Sequence, residues 1–184
     1  MNRDEGSAVA GPIDARSTES NSRTPAGAGL TDYQAMRDRD VRNAIHDALL
    51  ATGAFDGVWI WGLPEDYGTG ASQLAAAAIE PDSSTQEDRW DSAPGGGLII
   101  TSRVTLTFLQ RNDDPQLRDE AVELLFDTAA NALNGQSLAG LTLPQLSRFL
   151  TWRWEKPLAP ERRITSTFSY SYIVEGWNAY DDSA

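Results

Sequence analysis

The amino-acid sequence predicts an α+β domain: a mixed or mainly antiparallel sheet of about five strands, with helices packed on one face and a long C-terminal hairpin. Three observations point there. Two long segments alternate between mostly large apolar and mostly small polar residues, the signature of half-buried strands. In one, Leu98, Ile100, Val104, Leu106 and Phe108 alternate with Thr101, Arg103, Thr105 and Thr107. In the other, Ile164, Ser166, Phe168, Tyr170, Tyr172 and Val174 alternate with Thr165, Thr167, Ser169 and Ser171. Two further segments repeat apolar residues at helical spacing. Finally, strand-like runs follow one another directly, which favours antiparallel pairing with helices to one side.

Residues 1–29 are Ser, Gly, Ala, Thr and charge, with little apolar bulk beyond Ile13. Such a segment buries too little surface to offset its ordering entropy, which predicts a disordered N-terminal arm; ordering on a neighbouring subunit is the functional alternative. Residues 30–180 are expected to form one domain. Thr31 or Asp32 caps a first helix, Met36, Val41, Ile45, Ala48 and Leu49 share its apolar face, and Gly53 sits at its C-cap. Arg37, Asp38, Arg39, Asp40, Arg42 and Asp47 form its wet side.

"GVWIWG" (57–62) reads as a short strand. "QLAAAAIEP" (73–81) has helix-favouring alanines, but its length and the closing Pro81 fit a buried strand. Residues 82–97 form a long polar, Gly-rich connection. A second helix follows the strand that starts at Leu98. Asp113 or Asp114 caps it, Pro115 takes its first position and Gly135 stops it. Its predicted apolar stripe is Leu117, Ala121, Leu124, Leu125, Thr128 and Leu133. "FLTWRWEK" is another strand, with Leu150, Trp152 and Trp154 on one face. "PLAPE" then turns the chain into the closing strand, giving a hairpin of about ten residues a side.

Composition excludes several classes. Asp plus Glu number 27 against 15 Lys plus Arg, a net charge of -12, which argues against a surface that grips phosphate backbones. There is no cysteine, hence no disulfide, thiolate nucleophile or Cys metal site. No stretch has the roughly 20 apolar residues of a membrane span. The first residues lack the basic-then-apolar order of a secretory signal, which predicts a cytoplasmic protein unless it leaves inside something larger.

Catalytic equipment is not legible either. His46 lies within the first helix without a motif-linked nucleophile, and Gly68–Gly70 and Gly95–Gly97 lack the strand–Gly–helix context of a nucleotide site. Glu80, Asp82, Glu87, Asp88 and Asp91 cluster but match no EF-hand spacing, so they read as a solvated loop. The sequence predicts no enzyme, no cofactor and no metal. What stands out is aromatic and basic. Trp59 and Trp61 share one face of their strand while Val58 and Ile60 occupy the other, so both faces need cover. Trp59, Trp61 and Trp90 are therefore candidate interface residues, as are Arg148, Arg153, Lys156, Arg162 and Arg163 on the terminal hairpin. Meeting an acidic surface and ordinary cross-strand pairing with Glu155 and Glu161 are both open to this basic hairpin.

The order of these elements resembles the tail terminator (tail-completion) proteins of long-tailed bacteriophages, of the minor-tail-protein-U type. The resemblance spans residues 32–177. It runs from the amphipathic helix through "ITSRVTLTFLQRND", which leads straight into "PQLRDEAVELL", to the hairpin ending "TSTFSYSYIVEGW". It implies an α/β subunit that forms a hexameric ring on the end of the tail tube, stops tail polymerisation and joins the tail to the head. The implied partners are further copies of the chain, the tail tube protein and the head connector, with DNA passing through unbound. The implied location is the virion neck, reached from the host cytoplasm. A head-closure or connector protein of the neck, or a non-viral small α+β binding module, are the alternatives. The arm and the 82–97 loop depart from the shorter members of that group.

Overall fold

A computed structural model describes residues 30–67, 71, 73–82, 98–156 and 160–174. The predicted arm, Trp90, Trp177 and residues 83–97 of the acidic loop lie outside these described residues. Helix α1 covers Leu30–Ala51, followed by β1 (Gly57–Ile60), β2 (Leu74–Pro81) and β3 (Leu98–Arg111). Helix α2 covers Pro115–Leu133, and β4 (Arg148–Trp154) and β5 (Glu161–Val174) close the chain after two short 3₁₀ turns. The five strands form one sheet in the order β1-β2-β3-β5-β4. Only β1 and β2 run parallel; the other pairings are antiparallel. The fold is α+β with a mixed sheet, as the patterning predicts.

Period two decides which side of the sheet is filled. Ile100, Val104, Leu106 and Phe108 of β3, with Ile164, Phe168, Tyr170, Tyr172 and Val174 of β5, are all buried on the helix side. Burying each of the phenylalanines contributes about 2 kcal/mol by the usual transfer value. Val41, Ile45 and Leu49 of α1 and Val122, Leu125, Ala129 and Leu133 of α2 cover that side. The Tyr170 hydroxyl donates to Asp38 Oδ1 of α1 at 3.0 Å, which ties the helix to the far end of β5. Burial and the neighbouring Asp38 push this hydroxyl's pKa well above the usual phenol range, so it stays a donor.

The Asp114 carboxylate caps α2 by accepting from the amides of Gln116 and Leu117, with Pro115 at the first position. The buried stripe of α2, however, is Arg118, Val122, Leu125, Ala129 and Leu133. Leu117 and Leu124, expected in that stripe, are 54% and 66% exposed. The reason is phase: a stripe through residues 118, 122, 125, 129 and 133 keeps helical spacing equally well and sets the two leucines outside. Met36 of α1 is likewise exposed.

Strand β4 also departs from simple alternation. A register shift between Phe149 and Thr151 breaks its pairing with β5. Phe149 pairs with Phe168, Trp152 with Ser166 and Trp154 with Ile164, so these three share the helix side. Leu150 falls in the irregularity and is exposed rather than aligned with the two tryptophans. An extra residue shifts the period by one and moves a side chain across the sheet. Phe149 then joins an aromatic chain, 5.3 Å from Phe126 of α2 and 5.1 Å from Phe168.

Candidate assembly surface

The sheet face away from the helices carries a hydroxyl surface built by register alone. Thr105 faces Thr167, Thr107 faces Thr165 and Thr101 faces Ser171, while Thr151 of β4 faces Thr167 from the other side. Thr101 and Ser171 hydrogen-bond through their side chains at 2.7 Å. Between β3, β5 and the loop after β1 lies a groove of about 510 Å³, bordered by Tyr67, Glu80, Thr107, Arg153 and Arg163. Beside it, toward Thr151 and Thr167, is a smaller depression of about 300 Å³. Hydroxyls flanked by arginines and carboxylates suit hydrogen bonding to a polar partner.

One wall of the groove is an ion cluster. The Glu161 carboxylate accepts from Arg111 at 2.5 Å, from the Tyr67 hydroxyl at 2.8 Å and from Arg163 at 3.0 Å. Burial works to raise the Glu161 pKa, but the hydrogen bonds from Arg111, Tyr67 and Arg163 outweigh it and hold the carboxyl below its usual range. Arg163 is shifted upward: burial opposes its charge, and Glu161 more than compensates. Burial and the Glu161 bond also raise Tyr67. The cluster clips the loop carrying Tyr67 onto β5. Tyr67 and Arg111 were not singled out from the sequence. The signal for Arg111 was there, since it ends one alternating strand just as Glu161 begins the other.

The candidate basic residues divide between the two faces. Arg162 points to the helix side, its guanidinium 4.3 Å from the Trp154 ring and its Nε 3.4 Å from Asp119 of α2. Arg163 points to the groove and is committed to Tyr67 and Glu161. Arg163 thus pairs with Glu161 within β5 rather than across strands, and Glu155 is engaged by the Thr165 hydroxyl. Reversing Arg162 and Arg163 therefore disturbs internal ion pairs, and assembly is not the one property it touches. Arg148, Arg153 and Lys156 are exposed on β4 and just after it.

The tryptophans divide as well. Strand β1 ends at Ile60, so Trp59 and Trp61 do not share a strand face. Trp59 is half-buried over Gly57, whose absent side chain makes the room: a Cβ there would stand 2.5 Å from the indole. Trp61 lies beyond the strand at a φ of 80°, is 67% exposed, and stacks on the Arg42 guanidinium at 4.7 Å. His46 pairs with its neighbour Asp47 on the surface of α1. Among the described residues no helix is long and apolar enough to cross a membrane, and no three His, Cys, Asp or Glu side chains are grouped to hold a metal.

The fold is thus a one-sided α+β sheet with a polar face and an exposed basic edge strand. Comparison with solved structures matches it to a chain of "Virion of native gene transfer agent (GTA) particle". The TM-score is 0.41 at 16% identity, covering 75% of this chain and 92% of that one. That likeness is too loose to carry a function across. No protein-family model matches the sequence, and no curated protein matches it.

Proposed function

We propose that this chain is a structural subunit of a phage neck: it forms a ring on the end of the tail tube, stops tube polymerisation and offers the head a joining surface. The ring is hexameric, as the tail-terminator resemblance implies, with the tube protein on one side and the head connector on the other. The subunit works without catalysis or cofactor, in the virion after assembly in the host cytoplasm. The observation that carries this reading is the helix–strand order behind that resemblance, folded into a sheet in which, among the described residues, β4 is an edge strand and the face away from the helices is lined with hydroxyls. A sheet with one polar face and a bare edge is a template for repeated side-by-side packing. The net charge of -12 supports a conduit that does not hold passing duplex.

Light scattering coupled to size exclusion, followed by negative-stain microscopy, tests the proposal. Discrete rings that bind the ends of purified tail tubes are expected. A strict monomer at high concentration that leaves tube growth unchanged overturns it, and so does a subunit that attaches to heads alone.

A further inference from the structure

We infer that the subunits join through a specific pair of surfaces: the basic edge strand β4 of one copy and the acidic outer face of α2 of the next. The pairing rests on the reading of the chain as a ring subunit and names the contact that closes it. On β4, Arg148 and Arg153 lie on the face away from the helices, where they pair in register with Ser169 and Thr165. Both are exposed, with the exposed Leu150 between them in sequence at the strand's irregularity, while Trp152 projects to the helix side. On α2, Glu123 and Asp127 are exposed beside Leu124, and the helix's single basic residue, Arg118, is buried. The two surfaces therefore each carry an exposed leucine beside charge, arginine on β4 and carboxylate on α2, and these signs are complementary.

Within one chain the two arginines do not face the α2 carboxylates. Helix α2 packs on one side of the sheet, whereas Arg148 and Arg153 stand on the other. A contact between those arginines and α2 carboxylates is therefore one between two copies. Because the two patches differ, the contact is heterologous and propagates from subunit to subunit until it closes. The outer edge of β4, which among the described residues no strand covers, lies along the same contact.

The test uses two full-length variants. The first carries Arg148→Glu and Arg153→Glu, the second Glu123→Lys and Asp127→Lys. Each alone places like charges in the contact and weakens self-association by at least about tenfold. An unchanged circular dichroism melt confirms that each still folds. Mixed together, the acidic β4 of the first meets the basic α2 of the second, while their unaltered patches also match, so alternating rings form. Recovery of assembly in the mixture alone establishes the pairing. Assembly by either variant alone, or no recovery on mixing, overturns it while the ring reading stands. A wild type that never associates overturns both.

Discussion

Glu161 shows how one side chain couples chemistry to architecture. Its carboxylate accepts from Arg111, Tyr67 and Arg163 at once, so removing its charge weakens three contacts of the half-buried cluster together. Glu161→Gln is expected to cost about 2 kcal/mol in urea unfolding at neutral pH. The sign with pH follows from the lowered pKa. The carboxylate's contribution is complete above the unfolded value of 4.5 and is lost as pH falls through the folded value. Wild type and Glu161→Gln should therefore converge in acid; a constant difference down to about pH 3 would remove the cluster's role. Trp61 offers a second test. A non-glycine residue at positive φ costs about 1 kcal/mol, which stacking on Arg42 offsets only in part. Trp61→Gly should accordingly stay within about 1 kcal/mol of wild type, while the β-branched Trp61→Val loses more. Equal urea midpoints for the two variants would show that the backbone there relaxes freely.

Individual elements depend on their boundaries and phase. The Asp114 side chain accepts from the α2 N-terminal amides, and Asp114→Ala should cost about 1 kcal/mol, measured as a shift in thermal midpoint. Such ends are readable in a sequence because capping is local: Asp114, Pro115 and Gly135 mark α2 on composition alone. Phase is not local. The α2 segment contains two overlapping apolar stripes, and contact with β3 and β5 selects the one through Val122 and Leu125. The bulge in β4 is equally hidden, because an added residue has no composition signature in a run such as "RFLTWRW". Its consequence is measurable. Phe149, brought to the helix side by that shift, touches Phe108, Phe126 and Phe168, and Phe149→Ala should cost about 3 kcal/mol. A loss near that of an exposed site would place Phe149 on the open face instead.

For the molecule as a whole, charge is distributed rather than merely negative. A chain of net charge -12 carries exposed arginines on its last edge strand and exposed carboxylates on the helix behind it, separated by the sheet. If that separation drives ring formation, raising salt should shift the population toward monomer, since exposed charges are screened within about 10 Å at 0.1 M ionic strength. Sedimentation velocity across a salt series reads this directly, and a salt-independent ring would point to apolar contacts instead.

Short-range pattern was enough for the fold class, the order of the two helices and five strands, and the helices on one face of the sheet, because periodicity and turn residues act over a few positions; the two 3₁₀ turns and the seven-residue length of β4 were not legible. The sequence offered tryptophans and a basic hairpin as interface candidates, of which Trp61, Arg148, Arg153 and Lys156 are exposed and Trp59 is half-buried. How the candidates divide between surfaces was not legible. Arg162 and Arg163 are adjacent in sequence, yet alternation sends one toward Asp119 and the other to Glu161, and neither partner lies on the strand paired edgewise beyond them. Glu123 and Asp127 gain meaning only once α2 is seen to stand on the opposite side of the sheet from Arg148 and Arg153. Such pairings depend on which distant segments share a face, and that is settled by packing the whole chain at once.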